Sequence, residues 1–359
     1  MYRTALPMRS FEHAAASRQV AEAIVVRMEL SDGAVGWGET LPREYVTGET
    51  LDSVAEDIER LYWPPKPDGA GGLAPADGPS PAARCAVELA WADALARSAG
   101  RPLAGAMPPG LRVSGVLGSS DPARTARRLR LMRWFGLRDF KLKVGLGEEA
   151  DAANLRAVDR LIGRALSAGR CTLRVDVNGA WPAGETPERA AALKAHGVCV
   201  VEQPVFGPAE ALIELAQRCG LPLMADESLI TAADADKLAR APGRKVWMNI
   251  RLSKNGGMAS SRRIALSAAD AGVPFVVGCM VGESSILSAA QRALLAGCPR
   301  PRFVEGNYGR FLLRDDLTGK SIRFGYGGRL KALKGAGLGV AVDPKRLERY
   351  GRRLKALHA

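Results

Sequence analysis

Three carboxylates recur along the chain at nearly equal intervals: Asp176 in RVDVN, Glu202 in VCVVEQP and Asp226 in LPLMADES, separated by 26 and 24 residues. That interval is about one strand plus one helix, which puts the three acids at the carboxyl ends of consecutive strands. Carboxylates pointing inward at one another repel and raise each other's pKa unless a cation sits among them. Oxygen-only ligands with room left for water and substrate favour Mg²⁺, with Mn²⁺ able to substitute. Any one of these acids alone would be read as a helix cap or the partner of a nearby base; three at this spacing reverse that judgement. Lysines stand on both sides of them. In RDFKLKVG, Lys141 and Lys143 share one strand face while Phe140, Leu142 and Val144 take the other. Lys254, in NIRLSKNGG, follows Asp226 by 28 residues, at the end of the next strand. A lysine near a dication and near another lysine loses proton affinity and works as a base near neutral pH. Lys141 is expected to depress Lys143 in this way.

The elements that would position these residues are legible as alternating short apolar runs and amphipathic helices. VSGVL, DFKLKV, TLRVDV, VCVVE, LPLMA, KVWMNI, PFVVG and PRFVE are eight candidate strands, each separated by a helix or room for one. The fold class is therefore α/β, a parallel (β/α)8-type barrel over 111–315 whose last strand lacks a clear following helix. Before it, AEAIVVRMEL, a turn at Asp32-Gly33 and AVGWGE form a hairpin, followed by helices near Leu51–Tyr62 and Ala82–Ser98. These make an N-terminal α+β capping domain over 1–110, which residues 316–359 complete by packing back on it. The segment WPPKPDGAGGLAPADGPSP reads as a surface loop.

Composition narrows the remaining classes. The chain has 359 residues, 47% of them hydrophobic, enough for a large core. It contains no apolar run of membrane-spanning length and no apolar leader, so a cytoplasmic protein with no membrane partner is expected. The six cysteines are far apart without zinc spacing, and three histidines leave little for a histidine-based site. The net charge of +13 is spread widely, without aromatic-basic interleaving, which argues against a nucleic-acid partner and suits an anionic substrate. GYGG at 325–328 lacks the strand-to-helix context of a phosphate loop and reads as a turn.

Lys141-Leu-Lys143, Asp176-Val-Asn178, Glu202-Gln203-Pro204, Asp226-Glu227-Ser228 and Lys254-Asn-Gly256-Gly257 together resemble the enolase superfamily, within it the muconate-lactonizing-enzyme (muconate cycloisomerase) subgroup. GWGE, the TGET loop and AARCAVELAWADALA extend the resemblance to the first domain. It implies Mg²⁺ held by Asp176, Glu202 and Asp226, Lys143 and Lys254 as acid and base, and abstraction of a proton α to a carboxylate through an enediolate. The enzyme would be a Mg-dependent isomerase acting on a small-molecule carboxylate, and relatives of this kind are often homo-oligomers. Two lysines on opposite faces suit a racemase or epimerase of a dipeptide or N-acyl amino acid. A cycloisomerase, or a dehydratase like o-succinylbenzoate synthase, would use one of them to stabilise charge. A non-catalytic ligand-binding barrel would be expected to have lost one of these five residues.

Supporting positions follow from the same comparison. Asn178 orients a ligand or simply forms a turn; Glu227 points away from Asp226 toward a nearby base; Arg251 preserves the charge of a lysine frequent in relatives. Glu283, in GCMVGESSIL, reaches the substrate or serves the helix N-terminus structurally. Glu305-Gly306-Asn307 stands where dipeptide epimerases, which the TGET and GCM segments resemble, hold a substrate ammonium with two acids. Loops at 9–18 and 42–50, with Arg43 and Tyr45 as candidates, would meet the substrate's tail.

Overall fold

A computed structural model describes residues 1–13, 16–67, 73–74, 78–118, 120–243 and 245–358. Eight parallel strands form one sheet in sequence order: β4 Gly115–Leu117, β5 Asp139–Lys143, β6 Thr172–Asp176, β7 Val198–Glu202, β8 Leu223–Ala225, β9 Trp247–Ile250, β10 Phe275–Val277 and β11 Phe303–Val304. The sheet closes on itself where Val113 bridges Val304 and the Ser114 N–H donates to the Val304 carbonyl at 2.8 Å. All eight strands expected from the apolar runs are present, and the molecule is a (β/α)8-type barrel.

Closure explains why the strands read as apolar on one side and charged on the other. In β5, Phe140 and Leu142 are buried outward beneath the helices, whereas Lys141 and Lys143 are buried inward. The helices present their apolar stripes to the sheet's outer face, as the helix Ala209–Arg218 does with Leu212, Leu215 and Ala216. Among the described residues no helix is long and apolar enough to cross a membrane.

Ahead of the barrel lie β1 Tyr2–His13, β2 Ala16–Glu29 and β3 Val35–Thr40, an antiparallel sheet whose β2–β3 turn closes through the Gly33 N–H on the Leu30 carbonyl. Helix α1 Leu51–Tyr62 starts at a capping box between Thr50 and Ser53. The longer α2 Pro81–Ser98 lies directly on β3. At the far end of the chain, β12 Gly351–Arg353 adds a fourth strand beside β1. The stretch before it packs on both domains: on the barrel Ile322 donates to Ser285 Oγ and Arg292 to the carbonyls of Arg323 and Lys331, while on the cap Leu338 donates its N–H to Asp93 and Arg97 donates to the Val340 carbonyl.

Candidate active site

The barrel interior is built in layers of charge. Lowest lies Arg174, fully buried, its guanidinium 4.3 Å from the centre of the Phe303 ring and 2.7 Å from Glu305. Above it the Lys141 ammonium is held by Glu305 at 2.7 Å, Glu202 at 3.2 Å and Asp176 at 3.2 Å. Burial alone would lower the proton affinity of Lys141, but these three acids raise it above the usual lysine range. Lys141 is thus the counter-ion of three acids. The same cations overcome the burial that would otherwise protonate Glu305, holding its pKa down at about 2.

Strand register then places the rim. Lys143 pairs with Asp176 across β5 and β6, and Asp176 with Glu202 across β6 and β7; Asp226 is the first residue beyond β8. Lys143 Nζ donates to Asp176 Oδ2 at 2.6 Å and to Asn178 Oδ1 at 2.7 Å. Asn178 has a left-handed backbone, φ 49°, tolerated by asparagine, and donates its amide to Glu227 at 3.3 Å. Asn178 thus turns the chain, and its side chain engages Lys143 and Glu227. Burial would raise the Asp176 pKa, but Lys143 and Lys141 hold it below the carboxylate range. Glu202 goes the other way, raised by burial and by the Asp176 charge.

The opposite wall belongs to β9. Asn249 points inward and donates to Glu202 at 2.7 Å, so Arg251, two residues on, turns to the same side. One Arg251 amino group bonds Asp226 Oδ2 and stands 3.6 Å from Glu202 Oε1. Lys254 sits deeper, its side chain fully buried, its Nζ donating to the Asp226 carbonyl at 2.5 Å, the Asn249 carbonyl at 2.9 Å and Asp226 Oδ1 at 3.0 Å. Burial, with Arg251 adding to it, lowers its proton affinity.

A pocket of about 720 Å³, its open mouth included, lies over this rim. Its wall includes Lys141, Lys143, Asn178, Glu227, Arg251, Glu283, Glu305, Asn307 and Tyr45; Lys254 is not part of it. Glu227 has an amide for a partner rather than the base expected, and its Oε2 is buried without a hydrogen bond; burial and Asp176 raise it to about 7. Glu283 accepts from the Met280 N–H at 2.6 Å while its Oε2 is likewise unpartnered, and burial raises it to about 8. Asn307 is engaged by Arg292 Nε at 2.6 Å and Gln291 at 2.7 Å. Arg43 lies outside the pocket wall, bonding the carbonyls of Glu22, Pro42 and Val281, and so fixes the 42–50 loop to the barrel. The other loop expected over the mouth, 9–18, includes residues 14 and 15, which lie outside the described residues, as do the side chains of 10–18.

Among the described residues no three acidic, cysteine or histidine side chains converge on one point as they stand. The reason is visible: cations lie between the carboxylates, Lys141 bridging Asp176 to Glu202 and Arg251 bridging Glu202 to Asp226. These side chains stand in for a positive charge that the three acids require. The donor set, all oxygen and adjacent at one rim, fits a hard divalent cation.

Residues 123–346 match the family described as "Enolase C-terminal domain-like". An L-Lys-D/L-Arg epimerase from Methylococcus capsulatus is 32% identical over 344 residues, 92% of this chain and 94% of its own length. A muconate lactonizing enzyme from Pseudomonas fluorescens, solved with muconolactone, superposes with TM-score 0.86 at 26% identity, covering 98% of this chain and 97% of that one. A dipeptide epimerase from Enterococcus faecalis, solved with Mg and L-Leu-L-Tyr, gives TM-score 0.78 at 26% identity over 95% of this chain and 100% of the other. The chain belongs to the enolase superfamily, in its muconate-lactonizing-enzyme subgroup. Its relatives are isomerases: epimerases, racemases of N-succinyl amino acids and cycloisomerases.

Proposed function

We propose that this protein is a Mg²⁺-dependent enzyme that moves a proton at the carbon α to a substrate carboxylate through an enediolate, with Lys143 as the acid/base. The observation that carries this reading is the position of Lys143: in the pocket wall, aimed by Asn178, beside the carboxylate layer. Asp176, Glu202 and Asp226 would hold the metal, which when bound would neutralise the substrate carboxylate and the charge it gains as an enediolate. Lys141 keeps Glu202 and Asp176 fixed from below. Asn178 fixes Lys143 Nζ, and the capping loop contributes Tyr45 to the pocket wall.

The pocket chemistry narrows the substrate. Glu305 is engaged by Lys141 and Arg174, and Asn307 by Arg292 and Gln291, so neither offers an unengaged carboxylate to a free ammonium. A substrate whose α nitrogen is acylated, or which carries none, is favoured over a dipeptide held by its amino terminus. Epimerisation needs a base on each face of the enediolate, whereas cycloisomerisation and syn elimination need one. The burial of Lys254 outside the pocket favours the second pair.

The test is α-proton exchange in D2O with Mg²⁺, read by mass spectrometry on N-succinyl amino acids, L-dipeptides and muconolactone. Metal-dependent deuterium uptake by at least one probe is expected. No uptake from any of them, with Mg²⁺ binding confirmed by calorimetry, would sink the reading.

A further inference from the structure

Resting on that reading, we infer that Arg251, and not Lys254, is the cation facing the substrate opposite Lys143, so that the proton leaves and returns on the Lys143 face alone. Lys143 is on β5 and Arg251 follows β9, four strands on in a closed ring of eight, which sets them across the barrel mouth from each other. Strand alternation runs inward from Asn249 to Arg251. Arg251 itself lines the pocket beside Met280, and its guanidinium reaches the Met280 sulfur as well as Asp226 and Glu202.

Lys254 has no comparable freedom. It lies in the turn after β9, three residues past Arg251, and its ammonium carries three hydrogen bonds, two of them to backbone carbonyls. A lysine has three N–H donors, so all are used, and the backbone partners cannot swing aside as side chains do. Lys254 ties the loop carrying Asp226 to the end of β9; it is a positioning residue.

The consequence is stereochemical. A guanidinium is a permanent cation with no acceptor site, able to neutralise an anion but unable to take up a proton. Neutral Lys143 Nζ accepts the α proton, the C–H electron pair moves into the carboxylate as the enediolate, and Arg251 faces that anion from the other side. The proton on Nζ then returns to the same face of the carbon, or to an oxygen leaving the β carbon on that face, which releases water. Beyond Arg251, the titratable groups of the pocket wall after β10 and β11 are Cys279, Glu283, Glu305 and Tyr308; Glu305 is held by Lys141 and Arg174, and Glu283 is the carboxyl that would serve a second face.

Two experiments decide this. In D2O with Mg²⁺, the N-succinyl-L-amino acid and L-dipeptide probes should take up deuterium with the L configuration retained, inverted product staying at least ~100-fold below exchange. Lys143→Ala should lose exchange by about 10²–10⁴-fold. Arg251→Lys, which places a proton carrier on the second face, should raise inverted product at least tenfold relative to wild type. Inversion by the wild type as fast as exchange would overturn the inference, and its disappearance in Glu283→Gln would name the second base. Reductive methylation of the native chain, mapped by mass spectrometry, needs no substrate: Lys143 should be modified at least tenfold faster than Lys254. Equal modification, or faster reaction at Lys254, would overturn the placement. An exchange result empty across all probes would count against the carboxylate reading of the site, while the methylation ratio still decides between Arg251 and Lys254.

Discussion

A carboxyl group that no solvent reaches is easier to bury neutral than charged, and two such groups stand at the junction of cap and barrel. Burial raises Glu39 to about 7 and Glu283 to about 8, from an ordinary value of 4.5. The folded state therefore keeps protons that the unfolded chain releases, and stability falls as pH rises from near 4.5 toward 8. Glu283→Gln should flatten part of that fall, so its melting temperature should drop less than wild type's between roughly pH 5 and pH 8. An identical slope in both proteins would contradict the burial argument. At the same scale, Asn178→Ala removes the acceptor that aims Lys143 and should cut turnover by ~10-fold or more while leaving the substrate's KM little changed, a positioning effect. Calorimetric titration of Mg²⁺ checks the carboxylate set: Asp176→Asn, Glu202→Gln and Asp226→Asn should each weaken binding by at least ~10-fold. The acids and Lys143 are visible in sequence because each ends an apolar run at regular spacing. Arg251 was harder to see, because locating it required the inward direction of Asn249 rather than a count to the end of KNGG.

At the scale of elements, the site depends on strands that end at matched heights. Lys143, Asp176 and Glu202 form one row because β5, β6 and β7 pair in that register, with an irregularity between Leu173 and Val175 that the apolar pattern does not show. Within the cap, β3 packs closely on α2. The two glycines of GWGE allow it: a Cβ at Gly38 would overlap the Ala86 carbonyl oxygen, and one at Gly36 the Ala90 carbonyl. Gly38→Ala should destabilise the protein by about 1–3 kcal/mol, read as a lower denaturant midpoint with unchanged slope. A neutral result would mean α2 can move aside without cost. The motif was legible in the sequence; the contact that explains it was not, since Gly38 and Ala86 lie 48 residues apart.

Across the whole molecule, cap and barrel share one apolar core, Leu6, Met8, Leu41 and Leu89 packing in the same cluster as Leu252, Ile286 and Leu287, and buried polar contacts cross it. Glu39 accepts from the Ser284 and Leu287 N–H groups at 3.1 and 3.0 Å and from Ser284 Oγ at 2.6 Å, so an acid of the cap holds the N-terminus of the barrel helix Ser285–Gly297. Ser253, in the β9 loop, bonds Thr40 and Leu41, and Arg43 bonds Val281. Glu39→Ala leaves buried donors unpaired at about 1–3 kcal/mol each. Faster amide exchange in residues 284–287 and 35–40 is the expected signature. The eight strands and the hairpin were readable from apolar runs and turn residues because those features are local. The polar junction was not, because Glu39 and Ser284 are ordinary residues whose pairing exists only once both domains are folded.

The central claim is that Lys143, beside a divalent cation held by three carboxylates, moves the α proton. Its most direct test is the first-turnover rate of α-proton exchange in D2O for wild type and Lys143→Ala, each with Mg²⁺ and with chelator, on the probe that exchanges fastest. Exchange is expected only in wild type with Mg²⁺, with losses of about 10²–10⁴-fold on removing the lysine. Exchange that persists in Lys143→Ala with Mg²⁺ at the wild-type rate would contradict it.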